Sequence, residues 1–370
     1  ILEVAGWRQC YTASIARNFY YNGMNIFYPQ VLASGNTDGY VGGTEFNIYP
    51  FVVAILYKLF GLHESLGRLV SIIAFCGGAF FLYKLTRKYA GSTTGLITLL
   101  FYTFNPYIFF YSRSFQPEST MLFFSITMLY FFSEWIDREE WWQFALMTFC
   151  ATFAFLTKFP TICLGLPLLY LCLEKYKLNF LTQWKLWLFA VLSITLTLLW
   201  NKHSKYVGTI NGISLNPLSF SYYMEYSLYF LTSLHFYEKV FYAEVFVKDL
   251  IYIGGVFFIL GVIFTLKKKE FRYIHYWLLA IIIYFFLAAK EVEWHTYYTI
   301  PIIVPASVFA GYAISNSLNL ITAYRITGIK KTVLQSLFII MVVILPLISH
   351  HKITGRYKAK RLEKDYPVQV

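Results

Sequence analysis

The sequence predicts an all-α polytopic membrane protein with about ten transmembrane helices. Hydrophobic residues make up 58 % of its 370 residues and charged residues only 14 %, and the mean hydropathy is +0.54. Most side chains must therefore face lipid or a buried interior. Helical spans of roughly 17 to 25 apolar residues are expected across a bilayer. The candidate spans, in chain order, are Leu66–Tyr83, Thr93–Tyr111, Ser119–Trp135, Trp142–Thr157, Thr161–Leu173, Lys185–Trp200, Leu250–Leu266, Tyr273–Ala289, Tyr297–Leu318 and Thr332–Ser349.

The basic residues predict how these spans are oriented. If the first span runs from outside to inside, the connections with clustered Lys and Arg, such as Lys267–Lys269, lie in the cytoplasm. The positive-inside rule then places residues 1–64 outside. An even number of spans also puts the basic tail from His351 outside, so we expect one span near the C-terminus to be miscounted. These loops and the tail explain the net charge of +12, and no nucleic-acid partner is needed.

Two long polar segments divide the predicted membrane region. Because the chain begins with such a segment outside, we expect a first transmembrane helix to be missing before it. The predicted regions are a first extracytoplasmic loop with juxtamembrane helices (1–64), transmembrane helices (65–200), a second extracytoplasmic loop rich in Tyr and Phe (201–248), transmembrane helices (249–350) and a basic C-terminal tail (351–370).

The first loop holds two predicted interfacial helices. Trp7–Tyr21 has residues such as Trp7 and Phe19 on one face, which is typical of an amphipathic helix that lies in the membrane interface. Tyr49–Phe60 is the second. The glycine-rich stretch Ser34–Gly43 between them predicts a loop that allows close backbone approach to a ligand.

Carboxylates gather on the same predicted side of the membrane. They precede the spans or lie in their short connections, and this clustering predicts a functional site. The residues are Asp38, Glu45, Glu118, Glu291 and Glu293.

Several short motifs follow one another along nearly the whole chain. They are Gly6-Trp7-Arg8-Gln9, Tyr28-Pro29-Gln30, Glu45-Phe46-x-x-Tyr49-Pro50, Leu66-Gly67-Arg68-Leu69, Tyr111-Ser112-Arg113 with Gln116-Pro117-Glu118, Leu156-Thr157-Lys158-Phe159-Pro160 and His295-x-Tyr297-Tyr298. Together they resemble the GT-C superfamily of glycosyltransferases. More closely, they are similar to the bacterial members of the dolichyl-phosphate-mannose-protein mannosyltransferase-like group, which includes the lipid A aminoarabinose transferases.

The resemblance implies a GT-C fold in the bacterial inner membrane. It also implies transfer of a sugar from a polyprenyl-phosphate donor to a lipid, glycan or protein acceptor on the extracytoplasmic side. Such chemistry needs a carboxylate as base or orienting group, cations or a metal at the departing phosphate, and an apolar groove for the isoprenoid. Some similar enzymes bind a divalent metal ion and others do not, so this cofactor stays open.

The catalytic base is the first role to assign. Similar enzymes carry an acidic residue early in the first outer loop, where this chain has Trp7-Arg8-Gln9 instead. We favour Asp38 in its glycine-flanked loop as the base, with Glu45 as orienting partner or metal ligand; Glu3 and Glu45 are alternative bases. Asp38 also fits an ordinary turn whose side chain bonds its own backbone.

Glu118 is the third catalytic candidate. The resemblance implies that this acidic position belongs to the lipid-phosphate or metal region, so Glu45 and Glu118 are the predicted metal ligands. Glu118 also follows Pro117 at the start of an apolar helix, where a carboxylate gains about 0.3 to 1 kcal/mol from the helix dipole without any catalytic role.

Cations at the outer ends of spans predict a phosphate site. A buried cation must pair with something, and a polyprenyl phosphate is a suitable anion; snorkelling to lipid headgroups is the alternative. Lys158 is favoured because it lies at a break before Pro160, which fits either two spans with a tight turn or one broken hairpin. The predicted substrate-binding residues are Arg8, Gln9, Arg113, Lys158, His295 and Tyr298.

A transporter or flippase for a lipid-linked saccharide is the alternative function. It would need ionisable residues near the bilayer midplane and broken helices in related halves, but the centres of the predicted spans are almost uncharged. A non-catalytic scaffold would leave the outer charges scattered. The enzyme hypothesis instead requires Asp38, Glu45, Glu118, Lys158 and Arg113 to converge in one cavity.

Overall fold

A computed structural model shows how the chain folds. It describes residues 6–31, 39–211, 230 and 232–323, with isolated positions between 332 and 351. Among these residues, five helices are long and apolar enough to cross a membrane, or six if the bent pair Leu234–Asp249 and Ile253–Thr265 forms one span. The predicted class, an all-α multi-pass membrane protein, is confirmed.

The helices of the described residues differ widely in length. A 3-10 helix, Phe159–Leu164, joins α7 to α8, and a helical turn at Leu234–Phe236 leads into the π-helix Tyr237–Asp249. The α-helices are α1 (Gly6–Asn22), α2 (Ile48–Phe60), α3 (Glu64–Ala90), α4 (Ser92–Thr103), α5 (Pro106–Tyr111), α6 (Glu118–Arg138), α7 (Trp141–Thr157), α8 (Gly165–Tyr176), α9 (Trp184–Asn211), α10 (Ile253–Thr265), α11 (Arg272–Leu287), α12 (Ala289–Trp294) and α13 (Ile303–Ala323).

Both helices predicted in the first outer segment form, as α1 and α2. The predicted apolar face of α1 is only half right, because Phe19 is buried but Trp7 is 59 % exposed. Gln9, Thr12 and Ala16 are buried instead. The helix turns this mixed face towards α2 and the protein.

The predicted span Thr93–Tyr111 is wrong as a single helix. The chain breaks between α4 and α5, where the Asn105 side chain accepts hydrogen bonds from the backbone of Tyr107 and Ile108 at 3.0 and 3.1 Å. Pro106 has no N–H to continue a helix and is suited to begin one. Capping by Asn105 and the proline together explain the break.

Helix α9 continues beyond the predicted end of its span at Trp200 to Asn211, into the stretch predicted to be a loop. Residues 212–229 and 231 of the predicted aromatic loop, most of the predicted last span Thr332–Ser349 and the tail from residue 352 lie outside the described residues.

The core that supports the site is built around α6. This helix packs against α3 on one side and α7 on the other, and α7 packs in turn against α9. Helix α2 attaches to this bundle through Tyr49, whose hydroxyl donates to the Gly67 carbonyl of α3 at 2.8 Å. Helix α1 attaches through Gln9, which accepts a hydrogen bond at 3.1 Å from the Phe115 N–H just before α6. The starts of α1, α2, α3 and α6 therefore lie close together.

Candidate active site

An ion pair joins the first helix to the loop before α2. The Arg8 guanidinium contacts the Glu45 carboxylate through Nη2 and Oε2, with side-chain exposures of 13 % and 25 %. Burial opposes the charge on Arg8, but Glu45, followed by Tyr297 and Glu118, raises the pKa of the guanidinium well above its usual range. The Arg8 guanidinium is therefore charged at any physiological pH.

The loop before α2 is clamped onto the extension of α9. The Thr44 N–H donates to the Ser204 hydroxyl at 3.0 Å, and the Trp200 indole donates to the Thr44 carbonyl at 3.0 Å. Gly42 lies so close to α9 that a Cβ there would come within 2.1 Å of the Gly208 nitrogen. A side chain cannot fit, so glycine lets the loop reach the helix and fixes the residues that follow it.

The same loop is tied to the end of α7. The Phe46 N–H donates to the Leu156 carbonyl at 2.9 Å. This single bond places Glu45 beside the helix end that carries Lys158, although the two residues are far apart in sequence.

The break at Lys158 separates α7 from the 3-10 helix. Lys158 has φ −154° and ψ 101°, an extended conformation, and its carbonyl accepts from the Thr161 N–H at 3.0 Å. Pro160 lacks the N–H that a continuous helix would need. The lysine side chain thus leaves the helix end and turns into the protein.

Lys158 and Glu118 form a second, deeply buried ion pair. The Nζ lies 3.6 Å from Glu118 Oε1, with side-chain exposures of 4 % and 2 %. Among the described residues, neither Lys158 Nζ nor Glu118 Oε2 has a hydrogen-bond partner. The Nζ lies 3.7 Å from the Tyr298 ring centroid and 5.0 Å from that of Tyr297. Burial lowers the pKa of the Lys158 ammonium, and Glu118 opposes this shift.

His295 closes one side of the site. Its ring stacks on Tyr297 with centroids 5.3 Å apart, and Trp7 lies 6.0 Å away. Its Nε2 is 3.7 Å from Glu291 Oε2, and burial lowers the pKa of the imidazole. Tyr297 was not among the predicted substrate-binding residues, and Glu291 was predicted only as one of the clustered carboxylates. The i, i+4 spacing of Glu291 and His295 could have indicated their contact.

An apolar cavity of about 780 Å³ opens beside the charged residues, between α7 and α9. Phe46 and Leu156 line it, so it reaches the junction of the outer loop with α7. Ligand pockets commonly have volumes of about 300 to 1,000 Å³. The remaining lining residues are Phe27, Phe144, Ala145, Thr148, Phe149, Thr152, Phe153, Leu192, Leu196, Leu199, Trp200 and His203.

Among the described residues, Glu45 and Glu118 do not form a site for a divalent ion. Glu45 is paired with Arg8, and Glu118 is paired with Lys158. A metal site gathers several ligands at once, and within the described part of the chain no three His, Cys, Asp or Glu side chains come together in this way.

Comparisons with known sequences match part of the chain. A family model described as dolichyl-phosphate-mannose-protein mannosyltransferase matches residues 48–200. An uncharacterized protein of Aquifex aeolicus is 32 % identical over 107 residues, which cover 29 % of this chain and only 24 % of that protein.

Solved structures extend the likeness to almost all of the chain. ArnT from Cupriavidus metallidurans, crystallised with undecaprenyl phosphate, has a TM-score of 0.61 and 17 % identity, covering 97 % of this chain and 68 % of that one. The Archaeoglobus fulgidus oligosaccharyltransferase in complex with Zn and sulfate has a TM-score of 0.60 and 11 % identity, covering 95 % of this chain and 49 % of that one. This chain has the GT-C fold. The resemblance indicated by the motifs is confirmed.

The GT-C fold brings most of the predicted site residues together. Arg8, Glu45, Glu118 and Lys158, which we call the charged quartet, converge where α1, α6 and α7 meet, and Tyr298 contacts Lys158.

Two predicted residues, Gln9 and Arg113, make contacts outside the two ion pairs of the quartet. Gln9 accepts a hydrogen bond from the Phe115 N–H at 3.1 Å and braces α1 against the segment before α6. The Arg113 guanidinium lies over the Phe109 ring at 5.5 Å. Asp38 lies outside the described residues. Their roles in substrate binding and catalysis remain predictions.

Proposed function

We propose that this chain is an integral-membrane glycosyltransferase of GT-C type. It moves a sugar from a polyprenyl-phosphate donor to an acceptor on the extracytoplasmic side of the bacterial inner membrane. The buried Lys158–Glu118 pair carries the proposal, because Lys158 Nζ is without a hydrogen-bond acceptor among the described residues. A buried ammonium with unused donors is costly, and a phosphate oxygen is a strong acceptor for it.

The surroundings of the charged quartet support a lipid phosphate as the ligand. Arg8 adds a second fixed cation, and the neighbouring apolar cavity suits a hydrocarbon chain. The ArnT structure was determined with undecaprenyl phosphate bound. If the phosphate headgroup of the lipid binds at Lys158 and its hydrocarbon chain occupies this cavity, the negative charge contacts a cation and the hydrocarbon contacts apolar side chains.

In the proposed reaction, an acceptor hydroxyl attacks the anomeric carbon of the donor sugar. The bond from that carbon to the phosphate oxygen breaks, and its electron pair leaves with the polyprenyl phosphate. Lys158 and Arg8 stabilise the negative charge of this leaving group. The ammonium has three donors, so Lys158 can bind phosphate without releasing Glu118. The hydroxyl proton passes to a carboxylate, for which Asp38 remains the proposed base.

A transfer assay with the full chain in lipid nanodiscs tests this proposal. A panel of polyprenyl-phosphate sugars serves as donors, and transfer of labelled sugar to lipid, glycan and peptide acceptors is measured. Lys158→Gln should lower the rate by about 10²- to 10³-fold, the usual effect of removing a group that stabilises transition-state charge. Glu118→Gln should also lower the rate, because Lys158 loses the counter-ion that lies beside its ammonium.

Lys202→Gln is the matched control. Lys202 is an exposed lysine on α9 at the same end of the bundle, and its loss should leave transfer unchanged. Full transfer by both site variants would show that the site assignment is wrong. Translocation of intact donor across the bilayer without transfer would instead favour the flippase.

A further inference from the structure

Two basic side chains supply positive charge to the site. Arg8 holds Glu45 on one side, and Lys158 holds Glu118 on the other. The two cations and two carboxylates balance, so neither carboxylate is left as an uncompensated charge for a metal ion to neutralise.

A divalent ion at this position would meet fixed cations. The Coulomb repulsion between a fixed cation and a metal ion doubles when the ion is divalent. A metal ion could bind the Glu45 carboxylate only if the ion pair between Arg8 and Glu45 broke, and the Arg8 side chain is only 13 % exposed. Breaking a buried pair in this way is strongly unfavourable because it leaves a charge unpaired.

The geometry points to Arg8 as the residue that takes the place of a divalent metal ion in this site. Its guanidinium fixes Glu45 and supplies permanent positive charge beside Lys158. The nearby carboxylates then form a metal site only when Arg8 is removed. The role of this charge in stabilising a departing phosphate rests on the proposed function, whereas the effect on metal binding depends on the charged residues alone.

The Archaeoglobus fulgidus oligosaccharyltransferase shows that a protein of the same fold can be crystallised with Zn. In the present chain, the described residues offer no group of three metal-ligating side chains, and both carboxylates of the quartet are paired.

Direct measurement of Mn²⁺ binding tests the inference without reference to catalysis. The full chain in nanodiscs is titrated with Mn²⁺ and followed by electron paramagnetic resonance. Wild type and Glu45→Gln should show the same background binding. Arg8→Asp, which places a carboxylate next to Glu45, should gain a bound Mn²⁺, and Arg8→Asp with Glu45→Gln should lose it. Lys202→Asp makes the same charge change at an exposed position and should gain none.

Activity supplies the second readout. Wild-type transfer should be unchanged in EDTA. A Mn²⁺ ion bound by wild type and lost in Glu45→Gln would overturn the inference, as would transfer that EDTA abolishes and Mn²⁺ restores. Failure of a folded Arg8→Asp variant to bind Mn²⁺ would also contradict it.

The wild-type and Glu45→Gln titrations decide the question even if Arg8→Asp does not fold. If no donor sugar is transferred under any condition, the proposed function fails, while the Mn²⁺ titrations still judge the role of Arg8.

Discussion

The two ends of α6 carry acidic residues in opposite circumstances. At its start, Glu118 is 2 % exposed and lies 3.6 Å from Lys158. At its far end, Lys88 lies 3.1 Å from Glu134 and 2.6 Å from Asp137, and the Asp137 side chain is 60 % exposed. The Lys158–Glu118 pair is buried and its charged atoms are farther apart. The group around Lys88 has shorter ion-pair distances and is partly exposed to solvent.

The two ends of α6 also differ in their hydrogen bonds. Just beyond α6, Glu139 accepts from Lys175 and from the Tyr176 hydroxyl, each at 2.7 Å, and these bonds lower the pKa of the Glu139 carboxyl. Such a network is complete without a ligand and ties helices together. Lys158 Nζ and Glu118 Oε2, in contrast, have unused hydrogen-bonding capacity within the described structure. The difference indicates a structural role at one end of α6 and a ligand site at the other.

Breaking the buried pair should produce the largest effect on stability. Lys158→Met leaves Glu118 buried without a counter-charge, which costs about 3 to 5 kcal/mol. Lys88→Met should cost only about 0.2 to 1 kcal/mol, since the exposed Asp137 can be rehydrated. The free energy of unfolding in mixed micelles measures both.

A double variant tests whether the unpaired charge of Glu118 causes this loss of stability. Lys158→Met combined with Glu118→Gln removes both charges and should recover most of the lost stability without recovering transfer. Equal destabilisation by Lys158→Met and Lys88→Met would show that the two ends do not differ as described.

The glycine contact that positions the outer loop should have a smaller effect. Gly42→Ala would place a Cβ within 2.1 Å of the Gly208 nitrogen, and overpacking of this kind costs about 1 to 3 kcal/mol. Transfer should also fall, because the loop carries Glu45. Gly165→Ala is the control, since a Cβ there meets nothing within 4 Å. Thermal unfolding and transfer rates are measured for both variants. Equal stability and equal transfer rates would show that the contact at Gly42 does not position the loop.

The smallest expected change is a shift in the pH profile. Burial lowers the pKa of the Lys158 ammonium, and the charged form that binds phosphate is lost as the pH rises through this lowered pKa. Donor affinity should therefore decline at a pH below the usual lysine pKa of about 10.4. Lys158→Arg, whose guanidinium stays charged, should move this decline to higher pH in measurements of KM. An unchanged profile would assign the decline to another group.

Much of the fold could be predicted because apolar length and proline are local signals. Pro160 predicted the break after Lys158, and the apolar stretch after Pro117 predicted α6. The end of α9 could not be predicted in this way. Residues beyond Trp200 are polar, and they are helical where Ser204 holds the loop at Thr44, a contact between distant parts of the chain.

Residues of the candidate site were predicted individually, but the ion pairs between them were not. The cost of burying a cation predicted that Lys158 needs a partner, and Glu118 is that partner. Arg8 was a departure from the expected acidic residue, but its pairing with Glu45 depends on how the outer loop packs on α7 and α9. Sequence spacing carries no information about such a contact, so the predicted metal role of Glu45 was assigned without its counter-ion.

We propose that the buried end of α6, and not its exposed end, binds the lipid phosphate. A cryo-electron microscopy structure of the full chain in nanodiscs with undecaprenyl phosphate tests it most directly. We predict a phosphate oxygen at hydrogen-bonding distance, about 3 Å, from Lys158 Nζ, with the hydrocarbon chain between α7 and α9. A phosphate bound away from Lys158, at Lys88 or elsewhere, would contradict the account.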